Sequence, residues 1–84
     1  LTALRLLREL DLGESSITDA CVNSVLQLIG LRELRLFSTA ITDVGLARLT
    51  QLKGLRYIDV NKSQVTDDGV EQFKAALPTC SVRQ

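Results

Sequence analysis

Aliphatic residues recur along this chain at two spacings, and the two alternate. In "LRELDL", "LRELRL" and "LRYIDV" the pairs Leu10/Leu12, Leu34/Leu36 and Ile58/Val60 are each separated by one polar residue. A period of two belongs to a strand with one buried face. Further along each segment the spacing widens to three, through Val22, Val25 and Leu28, then Leu46, Leu49 and Leu52. Residues three or four apart lie on one side of a helix. The pattern predicts units of one short strand followed by one short helix or 3₁₀ segment.

The units superpose without a gap at a shift of 24, as Leu7, Leu31 and Leu55 show. In register with them run Leu10, Leu34 and Ile58; Leu12, Leu36 and Val60; Ile17, Ile41 and Val65; Val22, Leu46 and Val70; Val25, Leu49 and Phe73; and Leu28, Leu52 and Ala76. Only Ala76 is small. A helical bundle with accidental internal similarity would not keep these columns aligned. A three-residue strand or a two-turn helix buries too little to stand alone, but stacked copies turn each column into a continuous ridge. The expected copies are about 7–30, 31–54 and 55–78. Residues 1–6 read as the tail of a preceding copy, with Leu1 and Leu4 matching Leu49 and Leu52. Leu77, Cys80 and Val82 repeat the strand spacing two residues ahead of register and predict a terminal strand at about 79–84.

This period, carrying L-x-x-L-x-L, resembles the leucine-rich repeat family over nearly the whole of residues 1–84. The resemblance implies an α/β solenoid with short parallel strands on its concave face and short helices on its convex face. The form "x-T-x-I-T-D-x-G-L" is similar to two types of repeat. One is the cysteine-containing, ribonuclease-inhibitor-like type of F-box substrate adaptors; the other is a bacterial type with Thr at the turn. The implied function is protein–protein interaction without catalysis. Alternatives are the substrate-recognition part of a ubiquitin ligase adaptor, or a structural subunit or assembly factor of a larger complex.

Small polar residues punctuate each copy. Ser15, Thr39 and Ser63 stand where many such repeats carry Asn or Cys. The resemblance implies that Asn there bonds the turning backbone of neighbouring copies, and a hydroxyl can do part of this. Thr18, Thr42 and Thr66, each followed by Asp, read as helix caps with an acid at the favourable end of the helix dipole. Gly45 and Gly69 follow two residues after the Asp, where a small residue lets the helix lie close to the sheet; the first copy has Cys21 there.

The open columns vary where the buried ones do not. Glu9, Glu33 and Tyr57 precede the buried pair, Asp11, Arg35 and Asp59 stand within it, and Gly13, Phe37 and Asn61 follow it. The expected partner-binding face is Glu9, Asp11, Glu33, Arg35, Phe37, Tyr57, Asp59 and Asn61. Phe37 and Tyr57, on adjacent strands and ringed by charge, have the make-up of a binding hot spot. Arg8, Arg32 and Arg56 break the rule of variation. They read either as a ladder for an anionic ligand or as partners of the neighbouring Glu9 and Glu33 or of carboxylates in adjacent copies.

Charge and composition remove other classes. Ten basic residues balance ten acidic ones, so there is no general basic field for nucleic acid. No apolar run approaches the roughly 18 residues of a membrane span, and no signal peptide is evident. With no histidine, no nucleophile beside a base and no glycine-rich phosphate loop, an enzyme is not expected. The repeated aspartates are spread one to a copy and do not converge. No cofactor or metal is expected, since Cys21 and Cys80 cannot complete a zinc shell. Three strand steps of ~4.8 Å put the two cysteines about 14 Å apart, beyond disulfide reach. Free thiols, buried or partly so, fit a reducing, intracellular, cytoplasmic setting. The chain begins at Leu1 and contains no Met, which predicts a longer protein with further repeats or another chain on its amino-terminal edge.

Overall fold

The computed structural model describes residues 7–84; the partial copy expected over 1–6, with Leu1 and Leu4, lies outside the described residues. Four three-residue strands, β1 (Glu9–Asp11), β2 (Glu33–Arg35), β3 (Tyr57–Asp59) and β4 (Ser81–Arg83), form one parallel sheet in sequence order. Leu10 faces Leu34, Leu34 faces Ile58 and Ile58 faces Val82. The 24-residue shift is therefore the register of the sheet.

Pairing continues past the strands. Leu12 N–H donates to the Arg35 carbonyl at 2.8 Å and Glu14 N–H to that of Phe37 at 2.8 Å. Leu36 and Ser38 repeat this on Asp59 and Asn61, at 2.7 and 2.9 Å. After the corner, Ala40 N–H reaches the Ile17 carbonyl and Gln64 N–H that of Ile41. At the corner itself Glu14, Ser38 and Lys62 each take a left-handed conformation, with φ of 57°, 55° and 58°. The next residue closes the turn. Ser15, Thr39 and Ser63 hydroxyls donate to the carbonyls three residues back, Leu12, Leu36 and Val60, at 2.6, 2.7 and 2.6 Å. The support is thus internal to each copy, not between copies, because these hydroxyls are taken up by carbonyls of their own turn.

Helices then return along the other side of the sheet, longer in each copy. The first is a 3₁₀ turn (Asp19–Cys21) running into α1 (Val22–Val25). The second is α2 (Asp43–Arg48) ending in a 3₁₀ turn (Leu49–Gln51), and the third is α3 (Asp67–Ala76). The expected Thr caps are formed: Thr18, Thr42 and Thr66 side chains accept from Ala20, Val44 and Gly69 N–H, each at 3.3 Å. Each helix buries residues three apart: Val22 and Val25, Leu46 and Leu49, Val70 and Phe73.

The third copy departs from the expected register. Ala76 is exposed and Leu77 is buried instead. Cys80 N–H bonds the Leu77 carbonyl as Leu31 bonds Leu28 and Leu55 bonds Leu52, all at 3.0 Å. The longer α3 has taken up one extra residue, so Leu77 and Cys80 fall one place late. One residue fewer before β4 restores the count, and Val82 stands directly opposite Ile58. The terminal strand is therefore in register and not two residues ahead of it.

Candidate functional site

The open face of the sheet carries the predicted contact residues in rows. Glu9, Glu33, Tyr57 and Ser81 stand side by side, as do Asp11, Arg35, Asp59 and Arg83. The second row alternates acid and base because the copies differ where packing leaves them free.

At its centre the Arg35 guanidinium lies 5.3 Å from the centre of the Tyr57 ring, within cation–π range. The same guanidinium lies 3.8 Å from a Glu33 oxygen. Phe37, just past β2, leans on the first copy: a Cβ on Gly13 would lie 2.2 Å from its ring. Both aromatics are half-buried, and both lean back by one copy.

The aspartates of the row are committed to their own turns. Asp11 accepts from Gly13 N–H and Asp59 from Asn61 N–H, each at 2.9 Å. Asp59, expected on the open surface, is only 7% exposed. It has strands on both sides, with Arg35 and Arg83 in register, whereas Asp11 on the outer strand is exposed. Glu9 is also exposed, and Glu33 and Asn61 are half-buried. The accessible residues of the open face are thus Glu9, Asp11, Glu33, Arg35, Phe37, Tyr57 and Asn61, with Asp59 buried beneath them.

Sequence reasoning missed what joins the copies on the helical side. The Asp19 carboxylate accepts from Thr42 N–H at 2.9 Å and from its hydroxyl at 2.5 Å. Asp43 does the same with Thr66, at 2.8 and 2.6 Å. Asp67 accepts from the Gln84 side-chain amide. Each Thr hydroxyl therefore caps its own helix and, in the second and third copies, bonds the preceding Asp. The two Thr66 bonds, the hydroxyl first, hold the Asp43 carboxyl below its ordinary value of 3.8.

The glycines make room for this contact. A Cβ on Gly45 would lie 2.3 Å from an Asp19 oxygen, and one on Gly69 would lie 2.1 Å from an Asp43 oxygen. Cys21 occupies the same place in the first copy. The signal was present in the sequence: Gly45 and Gly69 each stand one copy and two residues after an aspartate, Asp19 and Asp43.

Cys21 is exposed, contrary to expectation, while Cys80 is buried, and both thiols are free. Burial pushes the Cys80 thiol up to about 11. Cys21 lies on an open apolar groove of about 350 Å³ with Leu10, Leu12, Ile17 and Val25. These aliphatics belong to the first copy, outside which no described strand packs.

The glutamate pairing expected for the arginine column is not formed. Among the described residues Arg35–Glu33 is the only ion pair, and Arg8 instead donates to the Gly30 carbonyl at 3.1 Å. No three His, Cys, Asp or Glu side chains converge on a metal position among the described residues. No helix among them is long and apolar enough to cross a membrane.

Residues 31–49 match the family model of the leucine-rich repeat. The matched segment lies in the second copy, from Leu31 through β2 and α2, and the neighbouring copies share its columns and backbone pairing. A comparison with curated proteins finds no match.

Proposed function

We propose that the chain is a non-catalytic protein-interaction module, its leucine-rich repeats coiled as a short solenoid whose concave sheet face binds a partner protein. The observation that carries this reading is the cluster at the centre of the sheet. Arg35 stacked on Tyr57, with Phe37 on the floor of Gly13, presents aromatic and guanidinium surface held in place by strands. Tyr and Arg dominate the energetics of protein interfaces, and rings already fixed lose little entropy on binding. The free thiols favour a reducing, intracellular setting.

The test is capture of partners by the chain, read by mass spectrometry, against Tyr57→Ala and Arg35→Ala. A true partner is retained by the parent and lost, with affinity reduced roughly tenfold or more, by both variants. Circular dichroism should show both variants folded. An unchanged set of captured proteins would remove the concave face from the function.

A second contact is favoured by the groove. Leu10, Leu12 and Ile17 are only partly buried, whereas Leu34, Leu36 and Ile41 in the next copy are at most 1% exposed. We propose that a further repeat or another chain covers this amino-terminal edge. Protection of the Cys21 thiol from alkylation in the assembled protein, against rapid alkylation in the 84-residue chain, is the expected result.

A further inference from the structure

Arg8, Arg32 and Arg56 are all exposed, yet they are the same residue in the three full copies, while the open columns that follow them, Glu9/Glu33/Tyr57 and Asp11/Arg35/Asp59, vary. Packing does not impose an exposed residue, and among the described residues only Arg8 of the three bonds a neighbouring carbonyl, that of Gly30, so the sameness of all three calls for another cause. Pairing with glutamate is not that cause, because Glu33 is turned to Arg35.

The backbone sets the three in line. The Arg8 carbonyl accepts from Arg32 and Glu33 N–H at 2.7 and 3.0 Å. The Arg32 carbonyl accepts from Arg56 and Tyr57 N–H at 2.7 and 3.1 Å, and the Arg56 carbonyl from Ser81 N–H at 2.8 Å. The Cα atoms are thus fixed one strand step apart, about 4.8 Å, at the leading edge of the sheet. Asp19, Asp43 and Asp67 lie at the opposite end of the strands, where the helices begin.

We propose that this leading edge is a docking edge for an extended acidic segment of a protein partner. The inference rests on the interaction-module reading and adds a second, charged contact outside the concave face. The row spans about 10 Å, which an extended chain at ~3.3 Å per residue crosses in three or four residues. Carboxylates pair with guanidinium in bidentate fashion, each arginine offering a planar fork. Nucleic acid is the poorer fit: its affinity grows with the number of phosphates neutralised, and three cations flanked by Glu9 and Glu33 neutralise few.

The probe is a fluorescein-labelled peptide of five glutamates flanked by glycines, followed by anisotropy at rising salt. The parent chain should bind it, more weakly as salt screens exposed charges. The triple variant Arg8→Gln, Arg32→Gln, Arg56→Gln should bind roughly tenfold more weakly, whereas Lys74→Gln, on the exposed side of α3, should match the parent. Replacing all three arginines by Glu should transfer preference to a pentalysine peptide, with circular dichroism confirming the fold. No binding by the parent, equal binding by the glutamine triple, equal loss in Lys74→Gln, or tighter binding of an oligouridine RNA would each overturn the proposal. The Tyr57→Ala capture experiment reports separately on the concave face, so either reading can fail without the other.

Discussion

The first and second copies of the repeat carry the same aliphatic columns in different surroundings. Leu34 has a strand on each side and is 0% exposed, while its counterpart Leu10 lines an open groove. Gly45 admits the carboxylate of Asp19, while its counterpart Cys21 holds a side chain in that space. A column's value therefore depends on how many neighbours cover it, since hydrophobic stabilisation follows the area removed from water. The same aliphatic pattern yields a fully covered second copy and a partly covered first one.

The sharpest way to break this comparison is a matched pair of truncations. Leu34→Ala should cost about 3–5 kcal/mol, the range for a fully buried leucine, and Leu10→Ala roughly half as much or less. Urea titrations give both values, and equal losses would show that the first copy is covered as well as the second.

Next in size is the glycine column. Gly69→Ala sets a methyl group against the Asp43 carboxylate and should cost about 2 kcal/mol. Cys21→Ala, in the same column with its side chain exposed, should stay within ~0.5 kcal/mol.

Acid sharpens the same point. The Asp43 carboxyl sits below its ordinary value, so its folded form binds a proton less readily than its unfolded form. The stability it contributes is present above that ordinary value and is lost as pH falls through the depressed folded one. Thermal midpoints at pH 7 and pH 3 should fall further for the parent than for Asp43→Asn. An equal fall would mean that the Thr66 contact does not form in solution.

The smallest expected effect is a gain. Lys62 is exposed with φ of 58°, a conformation that costs a side-chain-bearing residue energy and glycine little. Lys62→Gly should stabilise by about 0.5 kcal/mol, and a loss would show that the side chain supports the corner.

Much of the fold was legible because it is one-dimensional: a shift of 24 in the letters is the register of β1 through β4. The Thr caps were legible for the same reason, since a cap reaches only two or three residues along the chain. What escaped was contact between copies. Nothing local in "TD" says that its carboxylate crosses to the next Thr, although the glycine column recorded it. The burial of Asp59 and the exposure of Cys21 depend on which neighbours stand beside them. The extra residue in α3 is local, but Ala76 and Leu77 are both apolar and the shift was hidden between them. On the candidate face the residues were legible by position, but their pairings, Arg35 on Tyr57 and Phe37 on Gly13, were not.

The fit of Asp19 to Gly45 and of Asp43 to Gly69 has a consequence for modularity. The segments look exchangeable, but they are keyed. A gene in which the first and second were swapped would bring the thiol-bearing side chain of Cys21 against a carboxylate arriving from its new predecessor. Shuffled libraries built from this chain should keep only those permutations in which Cys21 leads or has been replaced by glycine.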